Sequence, residues 1–204
     1  NTLDMIRLKA AINKDTEVSQ MLMKLVSFYR LSTKVHDSMV AVRKEVEMLD
    51  AYMSLMCYRY LDIIYRSEIE PGALDIEIPN FILQPLLENS LMHGLKDRRY
   101  QGTIILKIYR NEQDKNELNI WLIDDGIGIP DDKMEELNAY NAKDSETLYR
   151  VQTRTEGDRT HLGVINVISR LKLYYQENAE VIYMRNETGG TTVKIKIKTA
   201  SEET

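Results

Sequence analysis

The first third of the chain has the apolar spacing of two long helices. Apolar residues recur at alternating intervals of four and three residues in two stretches, 18–29 and 42–63. Such heptad spacing gives each helix one apolar stripe. The second stripe consists of Val42, Val46, Leu49, Met53, Met56, Tyr60 and Ile63. The polar link at 32–38 is short enough for an antiparallel helix pair.

One helix pair has too little surface to bury both stripes by itself. We therefore expect the pair to associate with a second copy in a four-helix bundle. The alternative is that the stripes pack only on the downstream part of the same chain. Residues 1–12 also have helical spacing, and their apolar positions are Leu3, Ile6, Leu8 and Ile12.

A break in composition separates this helical part from the rest of the chain. Residues 1–70 contain no Gly and no Pro, whereas all nine Gly and all four Pro lie beyond them. Because both residue types are disfavoured in helix interiors, we expect residues 1–70 to be nearly all helix. Two domains are predicted, 1–70 and 71–204.

Strand and helix patterns alternate in residues 71–204. Alternation of apolar and polar residues predicts strands at 74–78, 103–110, 118–122, 180–185 and 191–198. The second and third of these strands form a β-hairpin around a polar turn. Helical spacing occurs at 79–95, 130–140 and 162–175. The predicted fold class is α+β, with a helical hairpin followed by an α/β sandwich that has a mostly antiparallel sheet and helices on one face.

Composition restricts the functional class. Hydrophobic residues make up 43% and charged residues 29%, which is typical of soluble globular proteins. No apolar run approaches the roughly 18 residues that span a bilayer. The single Cys57 excludes an internal disulfide and fits a reducing compartment. The net charge of −5, without a basic stripe, argues against nucleic-acid binding.

The predicted helix at 79–95 has two distinct faces. One is an apolar arc of Leu83, Leu86, Leu87 and Leu91. Glu88, Asn89, Met92 and His93 fall on another arc, because residues three or four apart share a helix face. A carboxylate, a carboxamide and an imidazole suit a metal ion and its anionic ligand. The alternative is the ordinary polar face of a half-buried helix.

A second candidate site follows the predicted hairpin, in the run DDGIGIP that begins at Asp124. An Asp that leaves a strand can accept a hydrogen bond from a ligand close to the backbone, and Gly126 and Gly128 permit that approach. An EF-hand calcium loop is excluded, because these glycines occupy positions that need oxygen ligands. A plain acidic turn is the alternative.

A third candidate site lies where a long polar stretch, 141–160, meets the predicted helix at 162–175. A polar loop of this length in a compact domain is typically functional or disordered. Gly163 at a helix N-terminus would leave N–H groups free to bind phosphate, and an ordinary helix start is the alternative. The sequence has neither a Walker-type Gly-Lys-Ser/Thr nor a GxGxxG fingerprint.

The order of these features resembles that of a known superfamily. The chain resembles the nucleotide-binding domain of GHKL proteins in five successive features. They are a Glu-Asn helix with a His, a strand ending in Asp-x-Gly-x-Gly, a long polar loop, a Gly-led helix and a Gly-Gly-Thr before the last strand. These include histidine kinases and gyrase-type and Hsp90-type ATPases. The run ILQPLLENSLMHGL and the preceding helix pair resemble the LytS/YesM-type sensor histidine kinases. The resemblance covers essentially the whole chain and implies a Bergerat-type ATP-binding domain after a helical dimerisation hairpin.

The resemblance implies a role for each matched residue. Asn89 would coordinate the Mg²⁺ that bridges the ATP phosphates, and Asp124 would accept the adenine amino group. Gly126 and Gly128 would shape the adenine pocket. The loop 141–160 would be the ATP lid.

Four further roles are implied in the same way. Gly163 and Asn166 would lie at the triphosphate, and Thr192 near the adenine. His93 would contact phosphate or ribose. Glu88 would orient a reacting group or a water molecule.

Two positions depart from the family pattern. Met92 stands where the family has Lys, so one phosphate-facing cation is missing unless Lys96, Arg98 or Arg99 substitutes. His161 replaces the first Gly of the family's Gly-x-Gly-Leu-x-Asn phosphate loop, which we expect to alter lid closure or nucleotide affinity.

The resemblance also implies a longer parent protein, a membrane-anchored two-component sensor histidine kinase with this portion in the cytoplasm. The family's phospho-accepting His would lie just before Asn1, and none of the three His present matches it. We therefore expect this fragment to bind Mg-ATP without autophosphorylating. The expected partners are a second copy, through the N-terminal helices, and the receiver domain of a response regulator.

Two other functions remain open. One is a GHKL ATPase in which Glu88 activates water for ATP hydrolysis, a function that the N-terminal helix pair disfavours. The other is a degenerate kinase that serves as a dimerisation and nucleotide-sensing module, which Met92 and His161 favour.

Overall fold

The computed structural model describes residues 6, 8, 10–34, 38–143, 146–148 and 159–199. Helix α1 (Thr16–Lys34) and helix α2 (Val42–Arg59) form the first part of the fold. None of the helices in these ranges has the length and hydrophobicity needed to cross a bilayer.

The two helices run antiparallel. The Tyr58 hydroxyl, near the end of α2, donates to the Glu17 carbonyl at the start of α1 over 3.2 Å. Further along, the rings of Phe28 and Tyr52 lie 5.5 Å apart. The predicted antiparallel pair is therefore confirmed.

The apolar stripe of α2 is buried inside its own chain. Val42, Leu49 and Met53 are 0% exposed, and they belong to the same core cluster as the downstream strands and helices. In α1, none of the described side chains is fully buried, and Val18 and Met21 remain exposed. The stripe of α2 therefore packs on the downstream part of the chain, and the apolar surface left for a partner lies on α1.

Two segments of the predicted helical part are strands. Strand β1 (Met39–Ala41) and strand β2 (Ile63–Ile69) interrupt and end it, so the expectation of nearly continuous helix over 1–70 is wrong at both places. Helix α2 stops at Arg59. The run IIYRSEI that forms β2 is rich in β-branched and aromatic side chains, which favour a pleated strand over a helix.

Strand β3 (Glu77–Pro79) begins later than the strand predicted at 74–78, because the 3-10 turn Pro71–Ala73 is followed by a further turn at 74–75. It pairs antiparallel with β1 in a separate two-stranded sheet. This small sheet ties the start of α2 to the segment that leads into the next helix.

The main sheet has five strands in the order β2-β4-β5-β7-β6. Its other members are β4 (Gly102–Arg110), β5 (Glu117–Asp124), β6 (Ala179–Arg185) and β7 (Thr191–Lys198). Strand β2 is parallel to β4, and the other three pairings are antiparallel. The predicted hairpin and the mostly antiparallel sheet are confirmed.

Three helices pack on one face of this sheet. They are α3 (Leu83–Asn89), α4 (Asp131–Ala139) and α5 (Arg159–Tyr175). Each continues into tighter or wider turns: π-helical Ser90–Leu95 and 3-10 Lys96–Arg98 after α3, 3-10 Tyr140–Ala142 after α4, and 3-10 Gln176–Asn178 after α5. Inward-facing strand residues such as Leu106, Ile120 and Ile195 are buried against them, whereas Lys196 and Lys198 on the other face are exposed. The α+β class is confirmed.

The polar loop predicted at 141–160 is described only in part. Its described residues are 141–143, 146–148, 159 and 160. Leu148 is 0% exposed and belongs to the core, so this stretch has at least one apolar anchor.

Candidate functional site

A cavity of about 250 Å³ lies between the helices and the ends of β5 and β7. Its apolar wall consists of Leu86, Ile129, Pro130, Leu137, Val164 and Val193. Its polar wall consists of Asn89, Ser90, His93, Asp124, Lys133, Tyr183 and Thr191, with Gly94 and Gly128 between them. The cavity thus combines apolar surface with several polar groups, as small-molecule sites do.

Asp124, the last residue of β5, is the most buried acid of this wall and is 2% exposed. Its Oδ1 accepts the backbone N–H groups of Gly126 (3.0 Å) and Thr191 (3.2 Å). Its Oδ2 accepts the Ser90 hydroxyl at 2.8 Å. A carboxylate has about four acceptor positions, so Oδ2 can accept one more donor from a molecule in the cavity.

Burial raises the pKa of Asp124 above its usual range, because the charged form is poorly solvated there. The hydrogen bonds from Ser90, Gly126 and Thr191 oppose this rise, because they favour the ionised form. In the ionised form the group is purely an acceptor, and it is therefore suited to an amino group or another donor.

The glycines after Asp124 allow close backbone contacts. A Cβ on Gly126 would lie 2.6 Å from the backbone of Gly94, so only glycine fits between β5 and the end of the α3 segment. Gly128 has φ +76°, and a Cβ there would lie 2.4 Å from the Gly189 carbonyl. Gly128 lines the cavity, whereas Gly126 packs against Gly94, which lines it.

Asn89 and His93 both line the cavity, as their spacing on one helix face predicts. Glu88 does not belong to the cavity wall. It accepts a hydrogen bond from Gln84 Nε2 at 2.9 Å and lies on the side of Tyr52 in α2. Burial, and then the nearby Glu88 carboxylate, raise the pKa of Tyr52 to about 12. Adjacent helical positions point about 100° apart, which is why Glu88 and Asn89 face different surroundings.

Two predicted phosphate contacts have different surroundings from those expected. Helix α5 begins at Arg159, so Gly163 lies one turn inside the helix rather than at its start, and the nearest atom to a Cβ there would belong to Pro85. Its N–H is therefore not one of the unpaired groups at a helix N-terminus. Asn166 lies three residues further along α5 and is not part of the described cavity wall.

Thr192 does not face the cavity; its neighbour Thr191 does. Side chains alternate along a strand, and Thr191 shares the inner face of β7 with Val193. A shift of one residue along a strand changes the face of the sheet, so Thr191 rather than Thr192 is the β7 threonine of the cavity wall, and a role of Thr192 near a ligand stays a prediction.

The cations proposed to replace a lysine at Met92 are not on the cavity wall. Arg98 donates to the Asp125 carbonyl, and Met92 is 48% exposed and accepts the Tyr100 hydroxyl at 3.8 Å. Lys133, in the first turn of α4, lines the cavity instead, and its Nζ lies 3.1 Å from Glu136 Oε2. The side chain of His161 lies outside the described residues.

Two residues of the polar wall, Lys133 and Tyr183, were not singled out from the sequence, and two others, Ser90 and Thr191, were recognised only as members of motifs, without a role of their own. Lys133 had a usable signal, since it lies close to a recognised motif. Tyr183 had none, because its alternation on β6 reads as an ordinary core position. Its side chain is buried, and its hydroxyl makes no hydrogen bond to the described residues.

No group of three or more His, Cys, Asp or Glu side chains in the described ranges has metal-site geometry. Side-chain amides, water and the oxygens of a bound molecule are the other ligands that Mg²⁺ takes. The Asn89 carboxamide oxygen fits such a site, because Mg²⁺ commonly takes one or two protein ligands together with phosphate oxygens and water.

Two family models match the chain. One, described as histidine kinase, matches residues 1–64. The other, described as histidine kinase-, DNA gyrase B- and HSP90-like ATPase, matches residues 75–201, which is more than half of the chain.

Curated relatives and solved structures agree with these matches. The chain is 28% identical to the sensor protein LytS of Oceanobacillus iheyensis over 95% of its own length and 31% of the relative. It is 25% identical to the sensor histidine kinase YpdA of Escherichia coli over 97% of its length and 31% of that protein. The chain thus spans about a third of the length of these relatives.

Two solved structures have the same fold. One is the histidine kinase domain of the blue-light activated histidine kinase of Erythrobacter litoralis EL346, with a TM-score of 0.52, 18% identity and coverage of 99% of this chain and 88% of that one. The other is the catalytic domain of the histidine kinase ThkA, with a TM-score of 0.55, 13% identity and coverage of 80% of this chain and 99% of that one.

Proposed function

The chain belongs to the family of histidine kinase-, DNA gyrase B- and HSP90-like ATPases, and on that premise we propose that it is the ATP-binding and dimerisation portion of a two-component sensor histidine kinase. The order of the two family matches and the similarity to LytS-type sensor proteins support this proposal.

The observation that carries the proposal is the acceptor position left on Asp124. Its carboxylate is held by three hydrogen bonds from the protein, only one of them to Oδ2, and Asp124 lines a cavity with a largely apolar wall. An adenine ring would stack between Leu86 and Ile129 while its amino group donates to Oδ2. This arrangement distinguishes an amino-bearing base from one with a carbonyl at the same position.

The polar side chains that α3, the π-helical turn after it and α4 contribute to the cavity wall suit the phosphates. Asn89 would hold Mg²⁺ through its carboxamide oxygen, and His93 would donate to a phosphate or the ribose. Lys133 would add a positive charge from α4. Gly163 and Asn166 remain predictions for the triphosphate, reached from α5.

Mg-ATP supplies the phosphoryl group, and the residues of the chain position it. Asp124 would fix the base, Asn89 would hold the Mg²⁺ that offsets phosphate charge, Lys133 would add a second positive charge, and the apolar wall would exclude water. Such positioning and charge neutralisation account for most of the catalysis in phosphoryl transfer. The acceptor would be a His on the helical bundle, and the phosphoryl group would pass from it to an Asp of a response-regulator receiver domain.

Dimerisation would use α1, because its apolar residues are the ones left exposed in the helix pair. Two copies would bury these stripes against each other in a four-helix bundle. The parent protein would be membrane-anchored, with this portion in the cytoplasm.

Met92 favours a second candidate function, a nucleotide-sensing dimerisation module without kinase activity. The lysine that the family carries there is absent, and Met92 contacts Tyr100 rather than the cavity. The hydrolase alternative loses support, because Glu88 lies outside the cavity wall.

Isothermal calorimetry with Mg-ATP and with Mg-GTP tests the proposed function. We expect binding of Mg-ATP, little binding of Mg-GTP, and a loss of roughly 10- to 100-fold in ATP affinity for Asp124→Asn, whose Nδ2 would face the adenine amino group. Asp132→Asn, at an exposed position of α4, is the matched control and should bind normally. Absence of Mg-ATP binding, or equal binding by Asp124→Asn, would refute the proposal.

A further inference from the structure

A carboxylate from α2 closes the N-terminal end of the helix that carries Asn89. Glu45 lies in the first turn of α2 and is 1% exposed. Its Oε1 accepts the N–H of Phe81 at 2.8 Å, and its Oε2 accepts those of Ile82 and Leu83, each at 3.2 Å. Such N–H groups at a helix start have no partner within the helix.

The local sequence cannot provide this cap. Ile82 occupies the N-cap position of α3, and its side chain has no hydrogen-bond acceptor. Phe81, just before it, has φ +55°, a left-handed conformation that a bulky residue adopts only when its surroundings hold it. The start of α3 is therefore fixed by a residue 36 to 38 positions away in sequence.

The carboxylate is buried but not isolated. Burial raises the pKa of Glu45, and the three N–H groups and the positive charge of Arg170 oppose this rise. Arg170, on α5, also donates to the backbone and side-chain oxygens of Asn80, each at 2.5 Å. The segment that enters α3 is thus held from both α2 and α5.

The other end of the same segment is attached to the base-binding strand. Ser90 donates to Asp124, and the Gly94 carbonyl accepts the N–H of Ile127 at 3.1 Å. Asn89 lies between this attachment and the Glu45 cap. Its distance and angle to Asp124 therefore depend on both.

We propose that Glu45 is a positioning residue for phosphoryl transfer, which orients α3 so that Asn89 meets the phosphate end of the nucleotide. This inference rests on the proposed ATP-binding function. It gives the second helix of the helical part a direct role in the nucleotide site, because the cap is broken whenever α2 turns or shifts relative to α3.

The test compares the affinity for Mg-ATP with that for adenosine. Glu45→Gln keeps the side-chain volume but has one acceptor oxygen and an amide group that faces the N–H donors. We expect the affinity of this variant for Mg-ATP to fall about tenfold. Its affinity for adenosine, which would depend on Asp124, should change less than about twofold. Glu47→Gln, two residues along the same helix and exposed, is the matched control and should change neither affinity.

A second measurement uses the unaltered protein, so it does not depend on how well the variant folds. Coupling is reciprocal, and saturating Mg-ATP should slow amide hydrogen exchange at 81–83 while saturating adenosine leaves it unchanged. If Glu45 only stabilises the fold, Glu45→Gln should be less stable but should keep the wild-type ratio of Mg-ATP affinity to adenosine affinity. Mg-ATP should then also have no greater effect than adenosine on amide exchange at 81–83. These results would overturn the inference. If the unaltered protein binds no Mg-ATP, the proposed function fails instead.

Discussion

The Ser90 hydroxyl donates to Asp124 Oδ2 over 2.8 Å, and this bond joins the helical segment that carries Asn89 and His93 to strand β5. It has two effects on the carboxylate. It fixes the direction of Oδ2, and it lowers the pKa that burial raises.

Removal of this bond should therefore weaken nucleotide binding in a pH-dependent manner. We expect Ser90→Ala to lower Mg-ATP affinity roughly fivefold at neutral pH. Because only the ionised carboxylate accepts the amino group, affinity is lost as pH falls through the pKa of Asp124, and that loss should begin at higher pH in the variant. Calorimetric titrations over a pH series measure it, with Ser67→Ala on exposed β2 as control. An unchanged pH profile would contradict the role assigned to Ser90.

Asp124→Asn should separate stability from binding. Burial raises the pKa of Asp124 in the folded state, so the folded state binds this proton more tightly than the unfolded chain does. Wild-type stability from this group is thus highest at low pH and is lost as pH rises from the unfolded value through the raised folded value. An Asn side chain does not ionise, so the variant does not lose this stability as pH rises. Its carboxamide can still accept both N–H groups and donate to the Ser90 hydroxyl.

We therefore expect Asp124→Asn to melt at or above the wild-type temperature at pH 7, with the difference shrinking toward acid pH. Thermal unfolding followed by circular dichroism at several pH values measures this. A variant that melts well below wild type at pH 7 would show that the carboxylate charge is needed for folding.

The nucleotide-binding unit should not survive removal of residues 1–70. A chain of residues 71–204 lacks the edge strand β2 and the fully buried Val42, Leu49 and Met53. Loss of even one such side chain typically costs about 2–5 kcal/mol. We expect residues 71–204 to give no cooperative unfolding transition and residues 38–204 to fold and bind Mg-ATP. Cooperative folding of the shorter chain would restore the boundary predicted at 70/71.

Substitutions in α1 should be enough to disrupt the proposed dimer. Charge at exposed apolar positions, as in the double variant Val18→Asp with Met21→Asp, should convert a dimer to a monomer without changing Mg-ATP affinity. Gln20→Asp adds a similar charge at an exposed position of the same helix and should leave the dimer intact. Light scattering after size-exclusion chromatography measures the mass. A double variant that stays dimeric would place the interface elsewhere.

Lys133 should act on the phosphates and not on the base. Lys133→Gln is expected to weaken Mg-ATP binding roughly three- to tenfold and to leave adenosine binding unchanged, with a smaller effect at high salt. Lys115→Gln, in the exposed turn between β4 and β5, is the control. Equal losses for ATP and adenosine would assign Lys133 to the base end.

Much of the fold was predictable because its signals are local. Heptad spacing predicted both long helices, and alternation predicted the hairpin and the last two strands. The heptad pattern did not reveal what the α2 stripe packs against, because burial of the same side chains is favourable in a dimer and in a monomer. It also continued by coincidence through Tyr60 and Ile63, which hid the start of β2.

Two residues of the cavity wall could be picked out from the sequence, because their residue types suit few chemical roles in such motifs. They are Asp124 and Asn89. Thr192 is not part of the cavity wall whereas its neighbour Thr191 is, because adjacent strand residues lie on opposite faces of the sheet. The Glu45 cap was not predictable, because it joins residues that only the folded chain brings together.

The π-helical turn Ser90–Leu95 makes the cavity depend on the length of this segment. Hydrogen bonds in such a turn span five residues instead of four, so the turn holds one residue more than an α-helical turn does. Asn89, Ser90, His93 and Gly94 all line the cavity across this wider turn. Deletion of one residue here would give a more regular helix but would rotate His93 and Gly94 away by about 100°. The pocket is thus maintained by a single surplus residue, and a shorter chain with better helical geometry would lose it.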